Sequence, residues 1–156
     1  ALLAIISTEV PMLVDITKLA TLTGIARTTI LAYLQYLHEA KLIRLLYSDD
    51  LSVKKMQKPD KILMENTNLL QALSLQVPNI GTMRETFFCN QLGYTHQVEY
   101  NKRGDYLIDH KYVFEIGGKA KDGKQVANME NAYIASDECD YPIGNKLPLW
   151  LFGLMY

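Results

Sequence analysis

Cysteine is nearly absent: Cys89 and Cys139 are the two in 156 residues. They lack the paired spacing of a metal ribbon and do not make a disulfide framework. Cys89 sits among apolar residues and reads as a small buried hydrophobe, which fits a reducing, cytoplasmic setting. Long hydrophobic runs are missing too. The opening Leu2, Leu3, Ile5 and Ile6 are too few to span a bilayer and have no basic residues before them, so neither a membrane helix nor a signal peptide is expected. An apolar run that begins at Ala1 reads as a cut inside a longer protein. No charge of one sign dominates: the net charge is −1, so contact with nucleic acid would need a local basic patch. No Gly-x-x-x-x-Gly-Lys-Ser/Thr phosphate loop occurs, which excludes ATP binding by that route. Repeats and low-complexity tracts are also lacking.

What remains is an ordinary globular composition, 49% apolar and 21% charged, in a length that suits one medium domain or two small ones. Residues 2–10 read as a helix broken by Pro11. Asp15 stands at an N-cap position before Ile16, Leu19, Ala20 and Leu22, and Gly24 stops that helix. A second helix is expected over 26–40, with Ile30, Tyr33, Leu34 and Leu37 on its apolar side. Two short helices joined by a glycine turn make a helix-turn-helix pattern. A strand over 41–47, a turn at Ser48-Asp49-Asp50, a lysine-rich strand or loop over 51–58 and a strand over 60–64 follow. A hairpin after a helix-turn-helix is the outline of a winged helix, and residues 66–75 read as its closing helix.

Pro78-Asn79-Ile80-Gly81 marks a boundary, dividing the chain into 1–76 and 77–156. Beyond it a helix is expected over 82–92, ended by Gly93. Strands are expected over 95–101, 105–108 and 112–116, the last broken by Gly117-Gly118. A helix over about 123–136 and a buried final strand over 148–156 complete the pattern. The expected fold class is therefore α+β: an N-terminal winged helix-turn-helix followed by a small α/β domain with a mixed sheet.

Two acidic residues on neighbouring strands, Asp105 and Glu115, can hold Mg²⁺, because hard cations prefer carboxylate oxygens. A lysine beside them can position water or stabilise charge on a phosphate; together these are the parts for metal-assisted phosphodiester hydrolysis. Lys119 is the expected lysine if the strand stays extended, since side chains alternate with period two. Lys121 takes its place if the strand bulges. Glu85 on the preceding helix would assist. On the first half, Arg27, Thr28, Thr29 and Gln35 are candidates to face a DNA groove, and Lys54 and Lys55 to meet phosphates. Between Arg44 and Lys61 five basic residues stand against three acidic ones, a weak positive patch. His38, His96 and His110 do not cluster and read as structural, and most of the tyrosines as packing residues.

The order acidic, acidic, basic on strands resembles the PD-(D/E)XK nuclease superfamily, with Glu85 matching its helix glutamate and Gln125 a helix residue found in some members. The whole chain also resembles the C-terminal region of bacterial and archaeal AAA-type ATPases. The matching stretches run from Lys18-Leu19-Ala20 through Gly24-Ile25, Thr29 to Leu34 and Leu37 to Ile43. They continue with Gly81 to Glu85, Gly104-Asp105-Tyr106, Phe114 to Lys119 and Pro148 to Gly153. The chain departs in having Gly117 two residues after the glutamate, where the superfamily places its lysine. The resemblance implies a restriction-endonuclease-like second domain, Mg²⁺ as cofactor, DNA as partner and an N-terminal ATPase domain in the same protein, with an oligomer compatible and no membrane partner. The rival expectations are a degenerate nuclease fold serving as an interaction scaffold, and a DNA-binding regulator with a sensor or dimerisation domain.

Overall fold

The computed structural model describes residues 1–48 and 58–155, so Lys54 and Lys55 lie outside the described residues. Pro11 and Gly24 punctuate the first half as expected. Helix α1 (Leu2–Glu9) ends before Pro11, and strand β1 (Met12–Leu13) follows. Asp15 caps α2 (Ile16–Thr23): its carboxylate accepts from the amides of Thr17 and Lys18, satisfying donors that the first helical turn leaves free. Gly24 terminates α2 at φ 69°, a left-handed conformation that glycine adopts without steric cost. Helix α3 (Arg27–Glu39) then buries Ile30 and Leu34.

Strands β2 (Ile43–Leu46) and β3 (Lys61–Met64) pair antiparallel, and β1 joins the outer edge of β3. Every residue of β2 and β3 is buried. Alternation explains this, because each strand sends side chains to both faces. Ile43, Leu45, Ile62 and Met64 enter the core formed with α1, α2 and α3. Leu46 and Leu63 enter the core of the second half. The small sheet is thus a middle layer, and Arg44 and Lys61 lie on its second-half side. Helix α4 (Thr67–Leu73), capped by Asn66, closes the first half.

In the second half α5 (Ile80–Leu92) packs across a five-stranded sheet of β4 (Val98–Tyr100), β5 (Tyr106–Ile108), β6 (Tyr112–Gly117), β7 (Ala132–Ser136) and β8 (Lys146–Pro148), in that order. The first three strands run antiparallel, and β7 and β8 add in parallel, so the sheet is mixed and the fold is α+β. Phe88 sits at the centre of its core, with ring centroids 5.1 Å from Phe114 and 4.9 Å from Phe152. Aromatic contacts of this kind add about 0.5–1.5 kcal/mol beyond the area buried. The outer edge of β4 meets the first half at one point, where the Tyr100 amide donates to the Tyr47 carbonyl.

Two expected elements are corrected. No helix forms over 123–136; the chain makes turns and then β7. Between Lys124 and Asn131 the large apolar residues are Val126 and Met129, too few for a helical face. Val126 instead plugs the underside of the sheet against Leu107, Val113, Ala132 and Ile134. Gly123, at φ 66°, lies where a β carbon would meet the Ile134 side chain at 2.4 Å, so the chain passes at backbone distance. The final apolar run is not a strand either: β8 stops at Pro148, and Leu149–Leu154 form a 3-10 helix. Leu149 and Phe152 are buried three residues apart, the period of that helix, while Trp150 is exposed. No described helix is long and apolar enough to cross a membrane.

Candidate functional site

Tyr106, Ile108, Phe114 and Ile116 point to the α5 side of the large sheet, and Leu107 and Val113 to the other. Alternation puts Glu115 with Val113. Asp105 lies just before β5, where the ladder slips: its amide donates to the Phe114 carbonyl at 2.9 Å, and its Oδ2 accepts from the Ile116 amide at 2.6 Å. The Asp105 carboxylate therefore stands against β6 in place of a strand carbonyl, flanking Glu115 on both sides along the backbone. Gly104, immediately before it, is tight because a β carbon would lie 2.6 Å from Val113.

The Glu115 side chain is 3% exposed, and its Oε1 accepts from Lys121 Nζ at 2.9 Å. Its Oε2 is buried with no hydrogen-bond partner. The lysine reaches in because the strand ends in glycine. A β carbon at Gly117 would lie 2.9 Å from Cβ, Cγ and Cδ of Lys121, so the lysine stem crosses the space that a side chain there would fill. The loop carrying it is fixed: Lys146 Nζ on β8 donates to the carbonyls of Lys119 at 2.6 Å and Lys121 at 3.3 Å.

Glu85 approaches from α5. Its Oε2 accepts from Lys61 Nζ at 2.6 Å and from the Tyr106 hydroxyl at 2.5 Å. These groups feel one another. Burial pushes the Asp105 carboxyl above its ordinary range and Glu85 adds to this, while the Ile116 amide, Lys61 and Lys121 pull the other way. Burial alone would lower the Lys121 ammonium, but its bond to Glu115 and the fields of Asp105 and Glu85 raise it. Three carboxylates face two ammonium groups, an excess of one negative charge when all are ionised. Such an excess favours proton uptake by the carboxylates, the direction seen at Asp105.

Of the residues expected from sequence, Asp105 and Glu115 lie side by side along β6, Glu85 stands on the α5 side and reaches Asp105 only through its field, and Lys121 rather than Lys119 pairs with Glu115. Lys119 is exposed and lines a surface cleft with Glu138, Cys139, Asp140 and Tyr141. Gln125 is exposed on the turn. Among the described residues no group of three or more His, Cys, Asp or Glu side chains forms a ready metal cage. Arg27 and Thr28 are exposed at the start of α3 and Thr29 is half-buried; Gln35 is exposed and donates to Glu39. His96 pairs with Asp109 at 2.7 Å, His110 with Glu99 at 2.9 Å, and His38 meets the Ile43 carbonyl.

Sequence reasoning missed Tyr106, Lys146 and Lys61 as members of this group. Lys61 counts from sequence as a wing lysine that, with Lys54, Lys55 and Lys58, could meet phosphates, and nothing in its local sequence shows that its partner is 24 positions away. No family model matches the chain, and no curated protein or solved structure gives a significant match.

Proposed function

We propose that this chain is the nucleic-acid-associated C-terminal module of a larger AAA-type ATPase: a winged helix over 1–76 joined to a PD-(D/E)XK-like domain over 77–156. Asp105 and Glu115 would be the ligands of a divalent cation and Lys121 the adjoining charge, in a site for phosphodiester hydrolysis. Support for the first part is the order α1, β1, α2, α3 and the β2–β3 pair, with β1 adding to β3. Support for the second is the succession of α5, three antiparallel strands and a parallel fourth. The observation that carries the site is the Asp105 carboxylate laid against β6 beside Glu115, whose Oε2 is buried without a partner. Carboxylate oxygens are the donors that Mg²⁺ takes. When bound, the ion would supply charge stabilisation at a phosphate and a more acidic water. Lys121 would hold charge at the mouth, and Glu85 would add to the field from the other side. Arg27, Thr28, Thr29 and Gln35, with Lys54 and Lys55, would carry DNA contact, in the cytoplasm and beside the ATPase domain.

Calorimetric Mn²⁺ binding tests this. The native chain should bind, and Asp105→Ala should lose most of the affinity. A second reading, a nuclease-like fold kept as an interaction scaffold, is favoured by the ion pairs that Glu85 and Glu115 already make. Binding that is absent, or indifferent to Asp105→Ala, would leave that second reading standing.

A further inference from the structure

The acidic group of the second half is not complete within the second half. Lys61 is the first residue of β3 and is held in register on both sides, opposite Leu13 of β1 and Leu46 of β2. Its backbone is therefore fixed by the small sheet, while its side chain leaves the first half altogether. The residue is 8% exposed. Its ammonium lies 2.6 Å from Glu85 Oε2 and 4.6 Å over the Tyr106 ring, close enough for a cation–π contact. Tyr106 closes the triangle through its hydroxyl on the same carboxylate oxygen, and is the residue next to Asp105. A lysine buried this deeply costs several kcal/mol of desolvation unless paired. The sequence has many apolar choices for a strand position against an aromatic core, and Leu46 and Leu63 fill the same face in that way.

We infer that the acidic site is coupled across the junction of the two halves, with Lys61 as the residue that fixes Glu85 and offsets its charge within reach of the Asp105 carboxylate. The inference rests on the reading of those two carboxylates as a cation site. Lys61 would not touch the ion; it sets the charge and the aim of Glu85. Its field also reaches Asp105, which it does not bond. A cation bound in the second half is then coupled to the docking of the first.

The test is Mn²⁺ affinity of the full chain in four forms: native, Lys61→Met, Glu85→Gln and the two together. Removing the lysine charge should tighten Mn²⁺ by about threefold or more, removing the glutamate charge should weaken it by a similar factor, and the double variant should return close to native, the scale expected of one unit charge in a partly buried site. Affinity unchanged in Lys61→Met would overturn the inference. Should Lys61→Met alone not fold, Lys61→Gln, which removes the charge and can still donate to the Glu85 carboxylate, gives the same answer. A metal-free arm separates this from failure of the cation reading. Lys61→Met should lower the urea midpoint less in an Asp105→Asn background than in the native one. Strictly additive midpoints would make Lys61 a tie between Glu85 and the small sheet and nothing more, whether or not the native chain binds Mn²⁺.

Discussion

Gly93→Ala should be far more damaging than its backbone suggests. Gly93 ends α5 at φ −70°, an angle any residue adopts, so no left-handed strain is involved. The obstacle is Arg44. A β carbon at 93 would stand 1.6 Å from Arg44 Nη1 and 2.5 Å from its Cζ, with the Cys89 carbonyl at 2.8 Å on the other side. The guanidinium must shift, and it has little room to do so without breaking its ion pair. Its partner Glu65 has a side chain 2% exposed, bound through Oε1 to Arg44 Nη2 at 2.6 Å. Breaking a buried pair by removing one partner costs about 3–5 kcal/mol, because the other charge stays unpaired. With a urea slope of about 2 kcal/mol/M, that moves the midpoint down by about 1.5–2.5 M. The control is Arg44→Met with Glu65→Gln, which removes both charges; an alanine at 93 added there should cost clearly less than in the native chain, because only the contact with the Cys89 carbonyl remains. Equilibrium urea unfolding followed by circular dichroism reads both. An alanine that lowers the native midpoint by less than about 0.3 M, or costs as much in the uncharged background, would refute the reasoning.

Asp105→Asn should stabilise the metal-free chain at neutral pH. Burial raises the folded-state pKa of Asp105 above its unfolded value, so the ionised form works against folding above that raised pKa. As pH falls through the folded pKa towards the ordinary value, the native chain regains this stability, so the advantage of Asn in thermal melts should shrink from pH 7 to pH 4. An advantage that grows on acidification would contradict the assignment. Gly117→Ala should push the Lys121 stem aside, leave Glu115 without its ion pair and cost about 1–3 kcal/mol in urea unfolding. Lys121→Ala in that background should then add almost nothing, and a full further loss would show that the stem had never been displaced.

What could be read from the sequence was whatever local chemistry determines. Asp15, Gly24 and Pro11 set the ends of the first two helices because capping, left-handed φ and the missing amide act within a few residues. Strands β5 and β6 were legible from the turns at 101–104 and 109–111 and the break at Gly117-Gly118 that bound them, and with them the placement of Asp105 and Glu115. The helix expected over 123–136 failed where tertiary demand overrode composition: the passage beneath the sheet needs Val126 as a plug and Gly123 at close approach, not an amphipathic rod. The closing run was misread because Leu149, Trp150 and Phe152 look strand-like in isolation, while period three buries two of them and exposes the third. Lys119 and Lys121 could not be separated beforehand, since the choice depends on the turn from Gly118 to Lys121 and on Lys146 reaching across from β8.

The junction poses a further problem that no single half answers. Arg44 and Lys61 stand on the same face of neighbouring strands, each buried and each bound to a glutamate. Apolar residues of similar volume would fill that layer at equal or lower free energy, because burying two ion pairs incurs desolvation twice. Stability alone therefore does not account for them. Their difference from Leu46 and Leu63 is directional: an apolar contact tolerates sliding by an ångström, whereas a bond of 2.6 Å between a fixed strand and a helix glutamate does not. Glu65 holds Arg44 in place within the first half, and Arg44 in turn occupies the hollow left by Gly93 at the end of α5. Lys61 grips Glu85 near the middle of the same helix. Two such fixings along one helix define its position against the small sheet, and with it the place of Glu85. The charged layer is better explained by the fixed position it gives α5 than by a net gain in stability.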